Sequence, residues 1–88
     1  MNVEFRKSFE KDLGNLRNEA LLQRIKAVIE EVESAENLGN LSNIKKVKAD
    51  GDYYRIRVGE YRIGIAVNEG TVIFVRVLHR KEVYRYFP

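Results

Sequence analysis

The run YYRIRVGEYRIGIAVNEGTVIFVRVL, Tyr53 to Leu78, constrains this chain more than any other part of it. Three β-branched and aromatic stretches, Tyr53 to Val58, Tyr61 to Asn68 and Thr71 to Leu78, are separated only by Gly59-Glu60 and Glu69-Gly70. Two-residue connections containing glycine close antiparallel hairpins, so these stretches form a meander whose loop lengths fix the pairing. Across the first hairpin Val58 faces Tyr61, Arg57 faces Arg62, Ile56 faces Ile63 and Arg55 faces Gly64, because side chains alternate with period two. Across the second, Asn68 faces Thr71, Ala66 faces Ile73, Gly64 faces Val75 and Arg62 faces Val77, which carries His79 to the arginine side. The opposite face collects Tyr54, Ile56, Val58, Tyr61, Ile63, Ile65, Val67, Val72, Phe74 and Leu78, and is the expected core. Arg76 falls on that apolar face, where it either snorkels at the sheet end or marks a bulge that shifts the register.

The remaining segments supply the layer that covers this face. Asn2 to Arg6 alternates, with Val3 and Phe5 on one side, and predicts a first strand. Ser8 is placed to cap a short helix carrying Phe9, Leu13 and Leu16, and Asn18 to cap a longer one from Glu19 to about Ala35. Leu21, Leu22, Ile25, Val28, Ile29 and Val32 form the stripe of the second helix. Residues 36–52 are rich in Asn, Gly, Ser and Asp and read as a connection with a short strand at Ile44 to Lys48. A last turn or two of helix, Arg80 to Tyr86, follows the meander. The fold class is therefore α+β: an N-terminal strand, a helical hairpin, an antiparallel β-meander with helices on one face, and a short C-terminal helix.

Eighty-eight residues make one domain, 1–88, which hides only about 60% of the surface of its extended chain. With no cysteine and a single histidine, disulfide frameworks and Cys/His metal sites are excluded, and neither a metal nor a cofactor is expected. The charged start and the lack of any apolar run near the roughly 18 residues that cross a bilayer predict a soluble, cytoplasmic protein without a membrane partner. The net charge is +3, unevenly spread: residues 1–44 hold 6 Lys+Arg and 8 Asp+Glu, whereas residues 45–88 hold 10 and 5. The positive field belongs to the meander, which suggests a polyanionic partner.

Like charges directly opposite on a sheet are destabilising, yet Arg57 and Arg62 form a cross-strand pair with Arg55 diagonal and no carboxylate among them. Gly64 and Ala66 beside them are small enough to leave a floor for a ligand backbone. Guanidiniums over such a floor suit a phosphate, which arginine grips with a bidentate fork.

The pattern Tyr-Arg-Ile-Arg-Val-Gly-Glu-Tyr-Arg-Ile (Tyr54 to Ile63) and the ending His-Arg-Lys-Glu-Val-Tyr (His79 to Tyr84) resemble the second half of toxins of the RelE/ParE superfamily, in its RelE branch. The resemblance extends over nearly the whole chain. It implies the RelE-like microbial RNase fold and a toxin of a type II toxin-antitoxin system, silenced by a RelB-like antitoxin. It further implies a ribosome-dependent endonuclease that cuts mRNA in the ribosomal A site. In such metal-free chemistry the ribose 2′-hydroxyl attacks the adjacent phosphodiester, giving a 2′,3′-cyclic phosphate and a free 5′-hydroxyl. Carried over, Arg62, Arg80 and Tyr84 are catalytic candidates, Arg55 and Arg57 are phosphate-binding candidates, and His79 occupies a position that is basic or histidine among relatives. Some relatives have lysine where Arg57 stands; arginine, which does not readily give up its proton, serves as a clamp and not as a base. His79, an imidazole able to give or take a proton, becomes the leading acid/base candidate, followed by Glu82. Tyr86 and Phe87 read as closing the core, and Ile73, Val75 and Val77 as a surface for an antitoxin peptide. The alternatives are a ParE-type gyrase inhibitor and an inactive toxin-fold co-repressor.

Overall fold

The computed structural model describes residues 1–47 and 50–88. The elements run β1 (Asn2–Phe5), α1 (Lys7–Gly14), α2 (Glu19–Ser34), a 3-10 turn (Leu38–Asn40), β2 (Ile44–Lys46), β3 (Tyr53–Val58), β4 (Tyr61–Asn68), β5 (Thr71–His79) and α3 (Val83–Tyr86). They form one five-stranded sheet in the order β1-β5-β4-β3-β2. β1 lies parallel to β5, and the other neighbours are antiparallel. The expected short strand is β2; Lys48, at the end of that expectation, lies outside the described residues.

Both tight turns use left-handed backbone: Gly59 has φ 59°, and Glu69 and Gly70 have φ 47° and 79°. Positive φ at both central residues, as at Glu69-Gly70, or at the first alone, as at Gly59, matches the twist of a two-residue hairpin. The first hairpin pairs as the loop length dictates, including Arg57 with Arg62 and Arg55 with Gly64.

The second hairpin does not keep its register. Asn68 pairs with Thr71 and Ala66 with Ile73, but between Ile65 opposite Phe74 and Gly64 opposite Arg76 β5 gains one residue, Val75. This bulge settles the position of Arg76 and corrects three placements. Val77 now pairs with Ile63 and is buried in the core instead of lying on the basic face. Leu78, expected in the core, faces Arg62, and His79 pairs with Tyr61 on the helix side of the sheet, away from the arginines. The bulge is held from α1, which runs beside β5 where β1 has ended. Asp12 accepts hydrogen bonds from Arg76 Nε (2.7 Å), Arg76 Nη2 (3.1 Å) and the Val77 N–H (3.0 Å). That pairing raises the Arg76 pKa above its already high ordinary value, so the guanidinium stays charged. Ser8 is not a cap. It sits within the first turn of α1 and donates to the Val75 carbonyl at 2.6 Å, because an open strand edge needs partners for its polar groups.

The α1–α2 hairpin covers one face. Asn18 caps α2 as expected, its Oδ1 accepting from the Leu21 N–H at 3.0 Å. Phe9, Leu21, Ile25 and Val32 meet Ile56, Val58, Ile63, Ile65, Val72, Phe74 and Val77 in one core cluster. On the other face α3 folds back and buries Val83 and Phe87, whereas Tyr86 is 47% exposed. Phe87 lies directly on Gly64: a Cβ there would come within 2.6–2.7 Å of the ring. The small-residue floor expected beside the arginines is thus covered at Gly64 by the chain's own ring. Gly64→Ala is expected to cost about 1–3 kcal/mol through overpacking, because ring and backbone must shift together. Faster hydrogen exchange confined to α3, with the core amides unchanged, would check it.

Candidate functional site

Two strands and the end of the chain build the basic face. Arg55 and Arg57 leave β3 on the side opposite the core, Arg62 leaves β4 beside them, and Tyr84 is carried in by α3. The guanidinium of Arg55 lies 4.4 Å from the centroid of the Tyr84 ring, a cation-π contact that fixes one ring face. Tyr84 is itself 77% exposed, so its other face is open to solvent.

Neutral oxygens hold the two facing arginines. Arg62 Nη1 donates to the Gly59 and Tyr61 carbonyls, both at 2.9 Å. Arg57 Nη2 donates to Asn43 Oδ1 at 3.3 Å. Neither arginine enters a salt bridge among the described residues, in contrast to Arg80, whose Nε lies 2.7 Å from Glu60 Oε2. The Arg80 N–H also donates to the Glu60 carbonyl at 2.8 Å, which places this side chain at the tip of the β3–β4 hairpin.

Two open clefts meet here. The first, of about 310 Å³, holds Lys45, Arg55 and Tyr84, and the second, of about 350 Å³, holds Arg24, Glu60 and Arg80. Asn43, Arg57 and Arg62 line both, so the cationic surface is continuous from Tyr84 to Arg80. Five of the six expected site residues, Arg55, Arg57, Arg62, Arg80 and Tyr84, therefore lie along one track.

His79 is the one that does not join. Its ring packs edge-on to Tyr61 at 5.5 Å between centroids, and its Nδ1 accepts from the Lys81 N–H at 3.2 Å. It opens onto a separate cleft with Asn18, Leu21 and Tyr61, which shares Arg24, Gly59 and Glu60 with the cationic one. Glu82, the second acid/base candidate, lies in a cleft with Asp12, Val77 and His79 on that side. Sequence reading missed Arg24, Asn43 and Lys45. Arg24 lies on the polar side of α2 and meets the site only through the hairpin tip, and the other two come from the connection into β2. No group of three or more His, Cys, Asp or Glu able to hold a metal occurs among the described residues. No described helix is long and apolar enough to cross a membrane.

A family model described as the ParE toxin of the type II toxin-antitoxin system, parDE, matches residues 3–84. The chain is 53% identical to Toxin RelE3 of Methanocaldococcus jannaschii over 89 residues, spanning the whole of both. It superposes on a chain of the RelB-RelE antitoxin-toxin complex from Methanococcus jannaschii with a TM-score of 0.82 and 52% identity, over 97% of this chain and 99% of that one. A chain of the archaeal RelE-RelB complex from Pyrococcus horikoshii shares the fold, with a TM-score of 0.74 at 24% identity over 90% and 93% of the two chains.

Proposed function

Since the chain belongs to the RelE-like toxins of type II toxin-antitoxin systems, we propose that it is an endoribonuclease that cuts mRNA in the ribosomal A site and is silenced by a RelB-like antitoxin. The observation that carries this reading is the track of Arg55, Arg57 and Arg62 with Tyr84 at one end and Arg80 at the other. Arg57 and Arg62 keep their full charge for a phosphate, because neutral oxygens orient them. Preorganised cations of this kind stabilise the charge that builds on phosphorus when the 2′-hydroxyl attacks. Tyr84, backed by Arg55, offers its open face for a base to stack on, which holds a single strand in register. Arg80, at the far end of the track, is the cation assigned in this reading to the charge on the leaving 5′-oxygen. Glu60, the carboxylate of the same cleft, is already paired with Arg80, so solvent takes the 2′-hydroxyl proton and returns one to the leaving 5′-oxygen. His79 opens onto the adjoining cleft on the other face, so this reading assigns it no step.

A RelB-like antitoxin follows from the likeness to a toxin solved in a RelB-RelE complex. With Val77 buried, Ile73 and the bulged Val75 remain of the three apolar residues expected to meet it. The matching family model carries the ParE description, so gyrase is the second target to test. Primer extension on translating ribosomes separates the two: the purified protein is expected to give codon-spaced cuts and to leave gyrase supercoiling unaffected. Supercoiling inhibition without cuts would replace the nuclease reading with the gyrase one, and neither effect would leave the co-repressor.

A further inference from the structure

Asn43 stands in left-handed backbone, with φ 60°, at the entry to β2. Asparagine tolerates this region better than most residues, so the turn alone would account for its presence. Its contacts go further. The Asn43 carbonyl accepts from the Arg57 N–H at 2.9 Å, and its Oδ1 accepts from Arg57 Nη2 at 3.3 Å. One residue thus grips both ends of Arg57, and it also lines both clefts of the cationic track. We propose that Asn43 is a positioning residue that aims the Arg57 guanidinium at the bound phosphate while leaving its charge unneutralised. This rests on the reading of the track as an RNA-cleaving site.

The argument turns on the kind of oxygen chosen. An amide oxygen fixes a guanidinium by one hydrogen bond and leaves four of its five N–H donors for a phosphate fork. A carboxylate at the same place would fix it as firmly and would compete with the phosphate for the same charge. Glu60 shows the second case beside it, at 2.7 Å from Arg80. An unheld Arg57, facing Arg62 across the strands, would swing away from its like-charged neighbour. Asn43 opposes that motion.

Two substitutions separate positioning from turn geometry. Asn43→Gly keeps the left-handed backbone and removes Oδ1, while Asn43→Asp keeps both backbone and acceptor and adds a negative charge. On ribosome-bound mRNA, Asn43→Gly is expected to lower kcat about fivefold, the loss of one hydrogen bond to an exposed charged group. Asn43→Asp is expected to act on KM, and to reduce the salt slope of binding to a 2′-deoxy oligonucleotide by about 0.7, one phosphate contact on a single strand. A role in the turn alone predicts wild-type values for Asn43→Gly, whatever the added charge does in Asn43→Asp. The Arg57 Nε–Hε resonance supplies a readout independent of cleavage: in Asn43→Gly its order parameter is expected to fall to that of a free surface arginine. An unchanged resonance would overturn the role of Asn43. Failure of the wild-type protein to cut mRNA, with Arg57 still ordered by Asn43, would overturn the nuclease reading instead.

Discussion

Arg62→Ala is expected to slow mRNA cutting by about 10²–10³-fold, the loss that follows removal of one preorganised donor to transition-state charge. The same substitution should leave the melting temperature unchanged or slightly raised. Among the described residues Arg62 bonds only to the carbonyls of its own hairpin, Gly59 and Tyr61, both of which water reaches once the side chain is gone. Its removal also relieves the repulsion with Arg57 directly opposite. Loss of activity with no loss of stability is the signature of a group kept in place for a ligand. Single-turnover cutting and a thermal melt on one preparation check it, and a melting temperature lowered in step with activity would mark Arg62 as structural.

Asp12→Ala is expected to produce the largest loss of stability, about 2–4 kcal/mol, because a single carboxylate satisfies three donors at the free edge of β5. For a domain of this size each kcal/mol moves the melting temperature by about 4–8 °C, so a drop of roughly 10–25 °C should appear in a thermal melt. Asp12→Asn, which can still accept from the Val77 N–H, should lose about half as much. The effect reaches the site through register. With the bulge released, β5 would return to plain alternation, which moves Leu78, His79 and the approach to Arg80 by one residue. Cutting by Asp12→Ala should therefore fall even below its melting temperature.

These two substitutions mark what the sequence discloses and what it conceals. The Arg57–Arg62 pair was legible because a two-residue turn at Gly59-Glu60 leaves one register. The second hairpin was not, because VIFVRVLH is apolar on both phases and alternation reads equally well before and after an inserted residue. Arg76 was the visible symptom, but its cause lies in Asp12 and Ser8, more than sixty positions away. The same non-locality hid Arg24, Asn43 and Lys45, which reach the track only once α2 and β2 flank β3. Phe87 was legible as a core residue, though not as the ring that fills the space above Gly64, since complementarity between a missing side chain and a distant one has no periodic signal.

The central claim is that the arginine track drives attack by the 2′-hydroxyl, and an mRNA carrying one 2′-deoxy nucleotide at the cut position tests it most directly. On programmed ribosomes the all-ribose message should be cut to a 2′,3′-cyclic phosphate and a 5′-hydroxyl end, and the substituted message should remain whole at that position. Cutting of the substituted message there, or ends bearing a 3′-hydroxyl and a 5′-phosphate, would contradict the mechanism.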